Sequence, residues 1–181
     1  MKARLALKAA TEGDHERVDR LFSALDLGEL DDYRLFLAAQ ASAHLPIEAA
    51  LDAAGAERIV PDWTARRRAG PLRLDLDDLG LQAPAPVAPP PIDDTASILG
   101  AVYVLEGSRL GGNLLKRSLP DIAPCRFLDT TELSRSWRKL LELLDHFLYE
   151  TAQIESAART ARQVFQCFEV GGHRILDGRL A

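Results

Sequence analysis

The sequence predicts a soluble all-α protein: two observations support the helical class and a third supports solubility. Apolar residues recur at steps of three and four over long segments, which is the period of an amphipathic helix. The alternation of β-branched residues that is typical of strands is almost absent. Charged residues interrupt every Leu-rich stretch before it reaches the roughly 20 apolar residues needed to cross a bilayer. A chain of 181 residues fits one core, so we expect a single soluble helical domain over residues 1–181.

Three helices are predicted in the first third of the chain. The first ends before a turn at residues 27–28. The second spans residues 30–54 and stops near Gly55, because glycine commonly follows the last turn of a helix. A third, shorter helix is predicted over residues 56–68, with Trp63 facing inward.

The segment 82–92, QAPAPVAPPPI, holds five of the ten prolines of the chain. Proline fixes φ and lacks a backbone N–H donor, so this composition excludes a helix. We expect an extended linker inside the domain. A proline-rich ligand for an aromatic groove on another protein is the alternative.

Three further helices are predicted after the proline-rich segment. Asp and Thr residues at 93–95 are N-cap candidates for a helix that we expect to run to about residue 115, before Pro120. Two more amphipathic helices are predicted over residues 130–149 and 152–175.

An unusual glycine pattern lies in the segment 99–115, LGAVYVLEGSRLGGNLL. The segment has helical periodicity, yet each interior glycine costs a helix about 1 kcal/mol relative to alanine. Gly107 and Gly111 are four residues apart, hence on one face, where the missing side chains let another body approach the backbone. The approaching group is either a neighbouring helix or a flat ligand. Tight helix packing or a simple kink is therefore the alternative to a ligand site.

A second candidate feature lies in the predicted first helix. Lys8 and His15 are seven residues apart, so they share a helix face and are separated by about 10 Å along the axis. This span suits a ligand with a metal at one end and an anion at the other, since imidazole binds iron and lysine pairs with carboxylates. A solvated, charged helix face is the alternative. The other histidines, His44, His146 and His173, are interpreted as packing or surface groups.

Several function classes lack their sequence features. The chain has no HExxH, zinc-ligand, GxSxG, P-loop or dinucleotide-binding motif. Its net charge of -5 does not favour nucleic acid as a partner. Cys125 and Cys167 do not form a CxxC pair, and the N-terminus does not resemble a secretory signal, so we expect a reducing, cytoplasmic location.

Together the two motifs resemble the heme oxygenase family. LKAATEGDHERVDRL is similar to the first-helix motif of that family, and YVLEGSRLGG is similar to its distal-helix motif. The match is closest to the bacterial branch often encoded beside bacteriophytochromes. With an intervening YRLFL and a later Trp-Arg pair, the resemblance covers nearly all of the chain. It implies a multi-helical bundle of the heme oxygenase type with a kinked, glycine-rich distal helix.

The resemblance also implies roles for individual residues. His15 corresponds to the proximal iron ligand, and Lys8 to a residue that neutralises a heme propionate. Tyr103 falls among the heme-binding positions. Arg138 matches a second propionate-pairing residue, with a surface arginine as the alternative. The distal face, assigned to catalysis, comprises Gly107, Ser108, Gly111 and Gly112.

The activity implied by the resemblance is the oxidation of heme to biliverdin, carbon monoxide and iron. Heme is then both substrate and cofactor, and dioxygen and an external electron donor, such as ferredoxin or a reductase, are required. A phytochrome is one candidate recipient of the biliverdin. Ser108 stands where animal-type enzymes have an aspartate, and the segment after the distal helix is short. A heme-binding or regulatory protein of the same fold without catalysis is therefore the alternative, and a helical interaction module without heme is a third hypothesis.

Overall fold

The computed structural model describes residues 2–178, and all regular secondary structure in that range is helical. The predicted all-α class is confirmed. The α-helices are α1 (Lys2–Phe22), α2 (Leu30–Ala53), α3 (Trp63–Arg66), α4 (Ala69–Asp78), α5 (Thr95–Ser108), α6 (Gly112–Ser118), α7 (Leu133–Phe147) and α8 (Thr151–Asp177). Two 3-10 turns, Ala56–Arg58 and Arg109–Gly111, lie between them. No helix within residues 2–178 is long and apolar enough to cross a membrane.

The C-terminal helix α8 is the centre of the bundle, because it packs against α1, α2 and α5. Its buried side chains recur at steps of three and four and join the main core with side chains from α1, α2, α5 and α7. The backbones of α5 and α8 approach closely at Gly100. A Cβ atom at this position would lie 2.2 Å from the carbonyl oxygen of Ala157, so only glycine allows the contact.

The predicted end of the second helix and the predicted start of the helix after the proline-rich segment are confirmed, together with the residues that cause them. The second helix ends at Ala53, and Gly55 follows with a positive φ of 72°. Asp94 is the N-cap of α5 and forms a capping box with Ser97. The Ser97 backbone N–H donates to Asp94 Oδ1 at 2.6 Å, and the Ser97 Oγ accepts from the Asp94 backbone N–H at 3.0 Å.

The proline-rich segment 82–92 is extended as predicted, and it packs onto α2 rather than standing free. The Val87 N–H donates to the carbonyl oxygen of Ser42 at 2.8 Å. That carbonyl lacks its helical partner because Pro46, four residues later, has no N–H. The buried Val87 therefore satisfies a backbone group that Pro46 leaves open.

The predicted helix over residues 56–68 is wrong. The chain forms a 3-10 turn and the single-turn α3 instead, because Pro61 cannot donate the N–H that would continue the helix. The inward orientation of Trp63 is confirmed, since 3% of the residue is exposed. The Trp63 indole N–H donates to Asp52 Oδ1 at 2.6 Å, which ties α3 to the end of α2.

Helix α4 is an element that the sequence pattern did not predict. It packs on α2, and its Leu72 and Leu76 belong to a second cluster of buried side chains that includes Phe127. The buried Asp75 of α4 accepts hydrogen bonds from the Phe127 backbone N–H at 2.8 Å and from Arg126 at 3.0 Å. These bonds hold the segment after α6 against α4.

The glycine-rich helix is broken, where the sequence predicted one helix to about residue 115. It divides into α5, the 3-10 turn Arg109–Gly111 and α6. The break falls where Gly111 and Gly112 follow each other, two residues that weaken a helix. The kinked helix expected from the resemblance is therefore present, and the two predicted C-terminal helices correspond to α7 and α8.

Candidate functional site

A cavity of about 740 Å³ lies between the C-terminal half of α1 and the glycine-rich break after α5. Its size falls in the range of small-molecule sites, about 300–1,000 Å³. Side chains of α2 and α8 and the segment 127–130 complete the wall. Much of the wall is apolar and is formed by Val18, Phe22, Leu25, Leu27, Phe36, Val104, Leu110, Leu114, Leu115, Phe127, Leu128, Phe165 and Phe168. Such a wall suits a large apolar ligand.

The imidazole of His15 lies on the α1 side of the cavity. It packs edge-on against the ring of Phe165, with 5.8 Å between the centroids. The Nδ1 atom is 3.2 Å from Oδ2 of Asp19, one turn further along α1. Because this contact engages Nδ1, Nε2 is the nitrogen left for a ligand. The side chain is 56% exposed, so the ring is accessible from the cavity.

All four residues predicted for the distal face line the same cavity as His15. Gly107 and Ser108 form the last turn of α5, Gly111 ends the 3-10 turn, and Gly112 starts α6. The glycines differ in what surrounds them. A Cβ on Gly111 would meet no atom within 4 Å, whereas one on Gly112 would lie 3.1 Å from Cγ2 of Thr130. Gly111 is thus open, and Gly112 packs against the segment 127–130.

The two interpretations of the glycine pattern apply to different residues. Gly100 serves helix packing, because the α8 backbone occupies the space of its missing side chain. Gly111 faces open space and lines the cavity. The hydroxyl of Ser108 donates to the carbonyl oxygen of Leu105 at 2.8 Å. Only the lone pairs of its oxygen remain for a ligand or a water.

Three residues predicted to bind a cofactor are not part of this wall: Lys8, Tyr103 and Arg138. Lys8 and Arg138 are exposed on α1 and α7. Burial raises the pKa of the Tyr103 hydroxyl, and the Arg4 charge and a hydrogen bond with Thr11 oppose this effect. Arg4 and Thr11 flank Lys8 on one face of α1.

Lys8 and Tyr103 therefore lie at the same end of the bundle, on the N-terminal side of His15 along α1. The ring of Tyr103 also packs against Trp137, with 5.8 Å between the centroids. Arg138 follows Trp137 in the chain and belongs to the same end of α7. Whether these three residues bind a ligand stays a prediction.

The polar pair of His44 and Glu48 was not singled out in the sequence. His44 is buried, as expected for a packing residue, but it also lines the cavity. Its Nε2 is 2.8 Å from Oε1 of Glu48, and this oxygen also accepts a hydrogen bond from the backbone N–H of Arg68, while Oε2 accepts one from the backbone N–H of Ala69. A histidine and a glutamate four residues apart on one helix was the sequence signal for this pair.

Burial by itself raises the pKa of Glu48, but its hydrogen bonds outweigh that effect. The bond and charge of His44 and the two backbone donors, Arg68 and Ala69, lower the pKa below its ordinary value. The carboxylate of Glu48 is therefore charged at neutral pH and fixes the His44 ring at the cavity wall.

Comparison with known proteins gave two informative matches, and no family model matches the chain. A heme oxygenase of Xanthomonas campestris pv. campestris (strain 8004) is 36% identical over 112 residues, which cover 59% of this chain and 67% of that protein. The crystal structure of the NO- and CO-bound heme oxygenase from Neisseria meningitidis has a TM-score of 0.81 and 22% identity, and the match covers 97% of this chain and 92% of the other. The structural match shows that the fold is shared.

Proposed function

The chain belongs to the heme oxygenase family, and from this premise we propose that it oxidises heme to biliverdin, carbon monoxide and iron, with His15 as the iron ligand. One observation carries the assignment: a single cavity has an imidazole on one side and the glycine-rich segment 107–112 on the other. A flat, apolar ring system with a central metal fits that arrangement. The aromatic and aliphatic wall supports the same occupant.

In this proposal the protein residues hold and orient the substrate. Bound heme supplies the redox-active iron and the ring that is cleaved. His15 would bind the iron through Nε2, and the Asp19 contact on Nδ1 fixes the orientation of the imidazole ring. The open space at Gly111 would leave room beside the face of the bound porphyrin that is turned away from His15. Gln40 and His44 are polar groups of the cavity wall that can order water.

The propionates of heme need cationic or hydrogen-bonding partners at the edge of the site. We assign this role to Lys8, Tyr103 and Arg138. Lys8 and Tyr103 support the assignment by their position at one end of the bundle, two helical turns from His15 along α1. Arg138 supports it because its neighbour Trp137 packs on Tyr103.

The reaction consumes electrons, so the proposal includes an external donor such as a ferredoxin or a reductase. The resemblance to the branch found beside bacteriophytochromes supports a phytochrome as a recipient of the biliverdin.

The test is a hemin titration followed by turnover. One equivalent of hemin added to the purified protein should produce a Soret band. Ascorbate or a ferredoxin system in air should then replace it by the absorption of biliverdin. A Soret band that persists after reduction would instead identify a heme-binding protein without catalysis, and no spectral change with micromolar hemin would exclude a heme site.

A matched pair of variants tests the ligand assignment. His173 on α8 also has an aspartate four residues later, and the two pairs have similar exposure: 56% and 64% for His15 and Asp19, 55% and 71% for His173 and Asp177. His173 does not line the cavity. We expect His15→Ala to lose the bound-heme spectrum and His173→Ala to keep it. Equal spectra in the two variants would show that another residue binds the iron.

A further inference from the structure

A buried glutamate lies directly before the glycines of the cavity wall. Glu106, on the last turn of α5, is 2% exposed. One carboxylate oxygen, Oε2, accepts hydrogen bonds from Nη1 of Arg66 at 3.1 Å and from Oγ of Ser136 at 3.0 Å. The other, Oε1, accepts from Nη1 of Arg109 at 2.7 Å. One carboxylate thus connects α3, α5, α7 and the 3-10 turn.

The Arg66 side of this network is rigidly anchored. The Arg66 side chain is 2% exposed, and its Nε donates to Oδ1 of Asp62 at 2.7 Å. Its Nη2 donates to the carbonyl oxygen of Ser136 at 2.8 Å. Because each of the three guanidinium nitrogens of the buried Arg66 side chain has an acceptor, Arg66 holds Glu106 in one position.

The second arginine that pairs with Glu106, Arg109, connects the network to the cavity. Arg109 starts the 3-10 turn and lines the cavity. Its Nη2 donates to the carbonyl oxygen of Asp129 at 3.2 Å, and Asp129 also lines the cavity. Its Nε is buried and has no acceptor among the residues that the structure describes. A buried donor without a partner is costly, so a water or ligand atom in the cavity is the expected acceptor.

The 3-10 turn Arg109–Gly111 has few other contacts that fix its course. No side chain within residues 2–178 caps this turn or the start of α6. Leu110 is largely exposed, and Gly111 faces open space. Segments with few buried contacts open easily, so the ion pair of Arg109 with Glu106 and its hydrogen bond to Asp129 are the main restraints on this turn.

We propose that Glu106 is a positioning residue for the cavity: through Arg109, its carboxylate fixes the turn Arg109–Gly111 against the bound ligand. The inference rests on the proposed function and extends it to selectivity. The turn lines the cavity in which heme would bind, so its position would determine which meso carbon is exposed to attack. A fixed turn gives one biliverdin isomer, and a mobile turn gives a mixture.

The first test uses the protein without heme. Arg109→Gln removes the link to the turn and leaves Glu106 paired with Arg66, so this variant keeps the buried ion pair. Arg117→Gln, an exposed arginine on α6, is the matched control. Amide hydrogen exchange over residues 107–113 should become on the order of tenfold faster in Arg109→Gln and stay unchanged in the control. Unchanged exchange in Arg109→Gln would overturn the proposal.

The second test uses the heme complex. Glu106→Gln and Arg109→Gln should bind hemin with the spectrum of the His15-ligated protein, yet give a mixture of biliverdin isomers. Arg109→Lys keeps the charge that pairs with Glu106 but cannot also donate to the Asp129 carbonyl oxygen. Its isomer ratio and exchange rate should therefore lie between those of the wild type and Arg109→Gln. A single unchanged isomer in all three variants would refute the role in selectivity. If the wild-type protein makes no biliverdin, the proposed function fails, while amide exchange, measured in Glu106→Gln as well as in Arg109→Gln, still decides whether the Glu106–Arg109 pair holds the turn.

Discussion

Asp19 lies one helical turn after His15, and its Oδ2 is 3.2 Å from the Nδ1 of the imidazole. The carboxylate therefore selects the nitrogen that is presented to the cavity. A metal-binding histidine generally has such a partner on its second nitrogen, and loss of the partner typically costs about 10–100-fold in affinity or activity. The relation between these two residues gives a direct prediction.

Asp19→Ala should weaken hemin binding about 10–100-fold, because the imidazole ring of His15 loses the partner that fixes its orientation. The measurement is a hemin titration followed by absorbance. Asp177→Ala, next to the equally exposed His173, is the control and should bind hemin as the wild type does. The same affinity in the two variants would contradict an orienting role for Asp19.

The glycines Gly100 and Gly111 should respond in opposite ways to alanine. Gly100→Ala places a methyl group against the backbone of Ala157 and should destabilise the protein by at least about 1–3 kcal/mol. Gly111 has φ -82° and ψ -11°, a conformation that alanine adopts, and nothing surrounds its missing side chain. Gly111→Ala should raise the free energy of unfolding by about 0.4–1 kcal/mol.

Hemin binding gives a second prediction for the Gly111→Ala variant. The methyl group of Gly111→Ala should enter the cavity and weaken hemin binding, although the protein without heme becomes more stable. Urea unfolding and hemin titration measure the two effects. A destabilised Gly111→Ala variant that binds hemin normally would place this residue in a packing role instead.

Glu48 should make the stability of the protein depend on acid pH. Its folded-state pKa lies below the ordinary value, so its contribution is complete above the unfolded-state pKa of about 4.3 and is lost as pH falls through the folded-state pKa. Glu48→Gln should cost about 1–3 kcal/mol at pH 7, because the donors at Arg68 and Ala69 lose a charged acceptor.

The acid dependence is measured by urea unfolding between pH 7 and pH 3. The wild-type stability should fall more steeply below about pH 4.3 than that of Glu48→Gln. The exposed Glu142→Gln variant on α7 is the control and should follow the wild-type curve. Parallel curves for Glu48→Gln and the wild type would rule out this contribution.

Local sequence signals predicted the parts of the fold that depend on neighbouring residues. Apolar periodicity located α1, α2, α5, α7 and α8, and capping chemistry located the start of α5 at Asp94. The break at Pro61 is also a local effect, because proline lacks the N–H that continues a helix, yet the helical periodicity alone predicted a helix through it. Helix α4 was missed because its stability depends on packing against α2 and the second core.

The candidate site was predictable only in part for the same reason. His15 and the glycines were recognisable by residue type and spacing, and the structure places them around one cavity. The network of Glu106 joins residues 40 and 30 positions away in the sequence, Arg66 and Ser136, and no local pattern reports such contacts. The glycine pattern likewise could not distinguish Gly100, which packs on α8, from Gly111, which faces the cavity.

The most direct test of the central claim is a crystal structure of the protein with bound hemin. We predict electron density for iron within coordination distance of Nε2 of His15, with the turn Arg109–Gly111 across the opposite face of the ring. Iron bound by another side chain of the wall, such as His44, or a porphyrin outside the cavity would contradict the account.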